Sequence, residues 1–172
     1  MEILIRKVKP TDLKNLIVLK QQVWISTYAT EGIIEEYASY VLSKFSIESV
    51  GKSIIVKDKL TLIAKNENRI IGCAEILLKL VSPNLSIEPC PEITTLYVLE
   101  RFQGLGVGKQ LLTECIKFIR ELNFEKTWLT VYVKNEKALR FYSKQNFIQI
   151  GEMDFQLGES KYKNHIMMKM IQ

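Results

Sequence analysis

Apolar and polar positions alternate with period two over residues 3–8, which predicts a short opening strand. Pro10, Thr11 and Asp12 then look like a helix start. Leu13, Leu16, Ile17 and Lys20 follow at helical spacing and predict a helix to about Trp24. After a break at 28–32, Ile34, Tyr37, Ala38, Val41, Leu42 and Phe45 recur every three or four residues, an amphipathic helix. Residues 46–53 form a looser helical or turn segment. Residues 60–65 and 69–80 are strand-rich and joined by the polar turn Asn66-Glu67-Asn68. Residues 81–91, with Pro83, Pro89 and Pro91, read as a loop, and 93–98 as the next strand. A helix over 106–122 carries Leu111, Leu112, Cys115, Ile116, Ile119 and Leu122 on its inner face. A strand at 127–133, a short helix at 135–145 and strands at 148–154 and 165–171 complete the chain, with a polar loop at 155–164. This order predicts an α+β fold, a mixed sheet with helices on its faces. With no repeats, low-complexity tracts or linkers, residues 1–172 are expected to form a single domain.

Composition narrows the picture. The 172 residues are 47% hydrophobic, enough for one sizeable core. No apolar run approaches the roughly 18–20 residues that cross a membrane, and the first residues form a strand pattern and no signal peptide. Cys73, Cys90 and Cys115 are an odd set without metal-type spacing, which suggests reduced thiols in a cytoplasmic protein and no metal. Cys73 and Cys115 fall on apolar faces, whereas Cys90, between two prolines, is expected in a loop. The net charge is +5. No dense basic stripe interleaved with aromatics is present, so nucleic acid is not an expected partner. A phosphorylated cofactor accounts for a mild basic bias equally well.

The chemistry begins at Gln103-Gly104-Leu105-Gly106-Val107-Gly108-Lys109, between a strand and a helix. Glycine lets a backbone approach a phosphate closely, and a helix N-terminus adds free N–H groups and a positive dipole end. A dinucleotide fingerprint fails because Lys109 stands at its third glycine; a Walker loop fails at Gln103 and Gln110. Gln103, Gly106 and Gly108 do match Gln/Arg-x-x-Gly-x-Gly/Ala. That pattern resembles the acetyl-coenzyme A pyrophosphate loop of the GNAT superfamily of N-acetyltransferases. A second segment resembles the family's Asn-x-x-Ala-x-x-Phe-Tyr-x-x-x-Gly-Phe, through Asn135, Ala138, Phe141, Tyr142 and Phe147. Asn146 replaces the usual glycine, and asparagine also tolerates the left-handed conformation of a helix C-cap.

The resemblance implies a GNAT-like, mostly antiparallel central sheet with helices on both faces, and acetyl-coenzyme A (acetyl-CoA) as co-substrate. It places the pyrophosphate on the N–H groups of 104–109, including those of Leu105, Val107 and Lys109, with Gln103 shaping the turn. It implies that the backbone of Leu96, Tyr97 and Val98 pairs with the pantetheine arm, that an N–H near Val98 meets the oxyanion, and that Asn135 faces the arm. Lys137 and Lys144 are candidates for the cofactor phosphates. Tyr142 matches the residue that protonates the leaving thiolate. A phenol with an ordinary pKa near ~10 is protonated at neutral pH and can donate.

Other roles stay open. A primary amine of pKa near ~10 must lose a proton before it attacks a thioester. Glu92, His165 (the sole histidine, expected at the start of the last strand) and water are candidate bases. Trp24 and Tyr28 resemble an aromatic pair that lines the family's acceptor pocket, or they pack one turn apart in the core. Glu31, Glu35 and Glu36 form an acidic lip or simply suit a helix N-terminus. The pattern resembles bacterial polyamine acetyltransferases of the spermidine/spermine type, with a small-molecule amine as acceptor. A peptide N-terminal acetyltransferase and a non-catalytic acyl-CoA sensor are the alternatives. The exposed edge of the last strands is able to pair across a homodimer, although nothing in the sequence requires it.

Overall fold

Strands consecutive in the sequence tend to lie side by side, and five of the six adjacencies in this sheet follow that rule. The computed structural model describes residues 1–81 and 88–171. Its strands are β1 (Leu4–Lys7), β2 (Lys59–Asn66), β3 (Arg69–Val81), β4 (Cys90–Val98), β5 (Lys126–Tyr132), β6 (Ile148–Leu157) and β7 (Ser160–Met170). They form one sheet in the order β1-β2-β3-β4-β5-β7-β6. Adjacent strands run antiparallel except β4 and β5, which are parallel and joined through a helix. The helices are α1 (Leu13–Tyr28), α2 (Glu35–Lys44), α3 (Ile47–Ser53), α4 (Val107–Glu121) and α5 (Glu136–Lys144). The fold is therefore the mixed, mostly antiparallel sheet with helices on both faces that the sequence implies.

Strand alternation divides the core in two. Leu62, Ala74, Ile76, Ile93, Leu129, Val131 and Met167 face Leu111, Cys115 and Ile119 of α4, with Tyr142 and Phe147 at one end. Ile63, Cys73 and Leu157 point the other way, to Leu16, Leu19, Val23 and Trp24 of α1 and Val41 of α2. Burial of this apolar surface at about 25 cal/mol per Å² is the main stabilising term. Among the described residues, no helix is long and apolar enough to cross a membrane.

Four sequence expectations need correction. Helix α1 runs one turn beyond Trp24, to Tyr28, because its apolar stripe is continuous and the Ala29 N–H still bonds to the Ile25 carbonyl at 2.9 Å. Helix α2 begins at Glu35, and Ile34 and Leu42, expected on its buried face, are 52% and 69% exposed. The expected loop at 155–164 is instead the tip of a long hairpin, with β6 and β7 paired as far as Leu157↔Ser160. Strand β6 lies at the sheet edge, and residues 159–164 at the hairpin tip are polar but for Tyr162, which hides the strand pattern there. Cys90 is the first residue of β4 and is buried, because Pro89 and Pro91 precede or open a strand without interrupting its ladder. Of the expected loop at 81–91, residues 82–87 lie outside the described residues, and Val81 ends β3.

Candidate functional site

The chain leaves β4 through a short 3-10 turn, Glu100–Phe102, and enters α4 over the glycine loop. Gln103 Nε2 donates to the Val98 carbonyl at 3.2 Å and so fastens the loop to the end of the strand. Gly104 (φ 75°) and Gly106 (φ 83°) take the left-handed conformation, which side-chain-bearing residues adopt at a cost. Among the described residues, no backbone acceptor meets the N–H groups of residues 104–109, and the next donor, Gln110, bonds to Gly106. A Cβ built on Gly104 would meet no atom within 4 Å, so the front of this row is open. Open, unpaired donors at a helix N-terminus fit a pyrophosphate. Lys109 is exposed in the first turn of α4.

Beside the loop the sheet divides. The one recorded pairing of β4 with β5 is Glu92↔Trp128. At that end the strands are pinned by side chains: Thr127 Oγ1 donates to the Pro91 carbonyl at 2.8 Å and Trp128 Nε1 to the Cys90 carbonyl at 3.3 Å. Beyond it β4 and β5 part: Leu96, Tyr97 and Val98 form no pairing with β5, although the Val98 carbonyl is held by Gln103. An extended ligand arm can complete such an edge as an added strand would.

Tyrosines surround the division. All seven tyrosines of the chain converge there from six elements. Tyr28 stacks on Tyr132 with centroids 5.5 Å apart, Tyr132 approaches Tyr162 at 6.0 Å, and the Tyr162 hydroxyl donates to that of Tyr37 at 3.0 Å. Tyr40 packs on Trp24 at 5.0 Å. Burial raises the phenol of Tyr97, with Tyr28 and Tyr40 adding to the effect. Burial also pushes Tyr28 up to about 12. Tyr142 reaches the division from the α4 side, between the rings of Phe141 and Phe147. Burial, then Cys115 and Tyr28, keeps its phenol protonated well above neutral pH. Sequence reading missed Tyr37, Tyr40, Tyr132 and Tyr162, and overlooked the side chain of Tyr97. No local motif marks them, and only the tyrosine count carried a signal.

Glu92 points to the α1 side, in register with Trp128 and Leu77. Among the described residues its carboxylate has no hydrogen bond or ion pair, and burial raises its pKa. A half-buried, uncompensated carboxylate beside a cleft suits proton acceptance.

Other expected site residues are placed differently. Trp24 is 3% exposed and lies beneath Tyr28, Tyr37 and Tyr40 as their backing, so it does not line an open pocket. Asn135 caps α5, its Oδ1 accepting from the Ala138 N–H at 3.1 Å. Lys137 and Lys144 are exposed at opposite ends of α5 and are not brought together; Lys144 sits by the closed end, where Lys169 Nζ donates to the Gln145 carbonyl. His165 lies inside β7, paired with Val131 and Glu152, and faces the α4 side, the opposite face from Glu92 and from Tyr132 and Tyr162. Its Nδ1 is 3.3 Å from Glu152 Oε1. The thiols of Cys73, Cys90 and Cys115 are buried and pushed up by that burial, the opposite of nucleophile activation.

Comparison with known proteins agrees with this geometry. The family model described as acetyltransferase (GNAT) family matches residues 24–147. The chain is 31% identical over 153 residues to the spermidine N(1)-acetyltransferase of Thermoplasma acidophilum, covering 86% of this chain and 89% of that protein. It is 23% identical over 164 residues to an uncharacterized N-acetyltransferase of Lactobacillus delbrueckii subsp. lactis, covering 95% and 94%. The crystal structure of PaiA N-acetyltransferase from Thermoplasma acidophilum in complex with coenzyme A superposes with a TM-score of 0.77 at 26% identity, over 99% of both chains. An open phosphate cradle, a divided sheet and these matches lead to one conclusion: the chain belongs to the GNAT acetyltransferase family and is an acetyl-CoA-dependent N-acetyltransferase.

Proposed function

We propose that residues 1–172 act as one domain that acetylates a primary amine of a small, polyamine-like molecule, with Tyr142 as general acid and Glu92 as base. The observation that carries this reading is the pair of opposed groups at the division of the sheet. A protonated, buried phenol stands on the α4 side and a half-buried carboxylate, unpaired among the described residues, on the α1 side. The pyrophosphate of acetyl-CoA would sit on residues 104–109, with Lys137 at the same end of the cleft. Its pantetheine arm would run along Leu96, Tyr97 and Val98. Glu92 takes a proton from the ammonium, directly or through one water, and the freed amine attacks the thioester carbon. The N–H near Val98 meets the resulting oxyanion. The C–S bond then breaks, Tyr142 gives its proton to the departing thiolate, and the extra proton on the acetylated nitrogen is lost to the phenolate through water, which restores Tyr142.

The acceptor class is argued from the tyrosine layer. Ring faces attract cations, and the relative from Thermoplasma acidophilum is a spermidine acetyltransferase. Glu36 adds negative charge beside Tyr37 of that layer. The test is a panel of polyamines, amino acids, aminoglycosides and short peptides with acetyl-CoA, read by free thiol. Turnover confined to di- and polyamines is the expected result. Turnover with N-terminal peptides alone, or coenzyme A binding with no turnover, overturns the acceptor assignment.

A further inference from the structure

Beneath the tyrosine layer, on the same face of the sheet, lies a buried ionic cluster that none of the steps above uses. Glu75 of β3 is 3% exposed. Its Oε1 accepts from Lys20 Nζ at 2.7 Å, and its Oε2 lies 3.0 Å from Lys59 Nζ. The same Oε2 accepts from the Thr95 hydroxyl at 3.0 Å, and the Glu75 carbonyl accepts from Thr94 Oγ1 at 3.4 Å. Thr94 and Thr95 form the irregularity of β4: Glu75 pairs with Thr95 and Ile76 with Ile93, which leaves Thr94 without a partner. A bulge bends its strand. This one directly follows Glu92↔Trp128, where β4 leaves β5. Lys20 belongs to α1, one turn before Trp24 and two before Tyr28. Glu75 therefore touches both the strand that forms one wall of the cleft and the helix that carries Tyr28.

Buried ion pairs are weak stabilisers, because desolvation offsets the attraction and a well-packed apolar trio often does as well. This cluster also buries one positive charge more than its carboxylate neutralises. Burial, with Lys20 nearby, holds the Lys59 ammonium below its usual range despite Glu75. Stability alone is thus a poor reason for these residues at this place, whereas fixing the geometry of two neighbours is a good one.

We propose that Glu75 is a positioning residue for acetyl transfer. Through Thr95 it fixes the β4 bulge, and so the register in which free β4 backbone meets the arm of coenzyme A. Through Lys20 it fixes α1, and so Tyr28 on the acceptor side. The proposal rests on the acetyltransferase reading of the site. Two variants separate the arms. Thr95→Val keeps the side-chain shape and leaves Glu75 both lysines; it is expected to raise the acetyl-CoA KM and the coenzyme A Kd about tenfold, the scale of one hydrogen bond to a charged group, with the amine KM unmoved. Thr95→Ser restores the hydroxyl and is expected to restore affinity. Lys20→Met is expected to raise the amine KM with the coenzyme A Kd unmoved.

Lower melting temperatures with both constants unmoved in the folded fraction would mean a merely structural cluster and overturn the proposal. Should Lys20→Met fail to fold, calorimetry of coenzyme A on Thr95→Val and Thr95→Ser decides alone. Wild-type protein that binds coenzyme A no better than these variants overturns this proposal and leaves the enzyme reading standing. Wild-type protein that does not bind coenzyme A at all overturns both.

Discussion

At the scale of single residues, burial decides which groups can exchange protons. Tyr142 is closed in by Phe141 and Phe147, so the charged phenolate is disfavoured, as the proposed acid role requires. Tyr142→Phe keeps the packing and removes the donor. Turnover is expected to fall roughly 10²–10⁴-fold, the usual worth of a positioned acid, with little change in coenzyme A affinity by calorimetry. Unchanged turnover would remove Tyr142 from the reaction. Glu92 is raised by burial, so its basic form fills in at a higher pH than an ordinary carboxylate's. The acid limb of kcat/KM is expected to lie above the usual carboxylate range and to disappear in Glu92→Gln; a limb that persists unaltered assigns the proton to another group. Tyr142 was legible in the sequence because its neighbours form a linear motif. The tyrosines opposite it were not, since Tyr37, Tyr40, Tyr132 and Tyr162 come from three helices and strands that meet only in space. Lys20 gave a partial signal, a lysine on an otherwise apolar helical stripe.

At the scale of elements, the turn from β4 into α4 and the crossing of α4 over the sheet both depend on glycine. Gly106 is the left-handed residue before α4. Gly106→Val strains that turn and puts branched carbons in front of the free N–H row, so coenzyme A affinity is expected to fall by at least tenfold in calorimetry. Retained affinity would refute the loop assignment. Gly72 of β3 is different, because its backbone is ordinary and the space above it is not. A Cβ there would lie 2.9 Å from the Tyr97 carbonyl and 3.1 Å from Leu111 Cδ1. Gly72→Ala must push β3 from β4 or α4 from the sheet, and is expected to cost about 1–3 kcal/mol in denaturant unfolding. The glycine loop and α4 were visible in the sequence through spacing and an amphipathic stripe. The strands at 148–154 and 165–171 were visible too, but the tip that joins them as one long hairpin was not, because residues 159–164 are polar but for Tyr162.

At the scale of the whole molecule, a seven-stranded sheet is held open at one joint while charged groups inside it stay paired. That pairing makes stability depend on pH. Burial alone would raise the Glu75 carboxyl, but Lys20 and Lys59 outweigh it and hold the group at about 2, below its ordinary 4.5. A depressed carboxylate pKa adds stability above the unfolded value and loses it as pH falls toward the folded one. Melting temperature is therefore expected to drop between about pH 4.5 and 2, and Glu75→Gln to be less stable at pH 7 but flatter across that window. Asp12, held low chiefly by its hydrogen bonds with Arg6, adds to the slope in both proteins. An equal slope in wild type and variant would mean that the cluster is not paired in solution. By itself the sequence determined the order of most elements, the glycine turn into α4 and the Tyr142 motif, because each depends on residues close along the chain. Only the tertiary structure decided that β4 parts from β5, that seven tyrosines meet at that opening, that His165 lies on the opposite face of the sheet from Glu92 and that Glu75 lies buried between two lysines. These depend on which strands become neighbours and which way side chains alternate across them, and burial fixes both only when the whole sheet has formed.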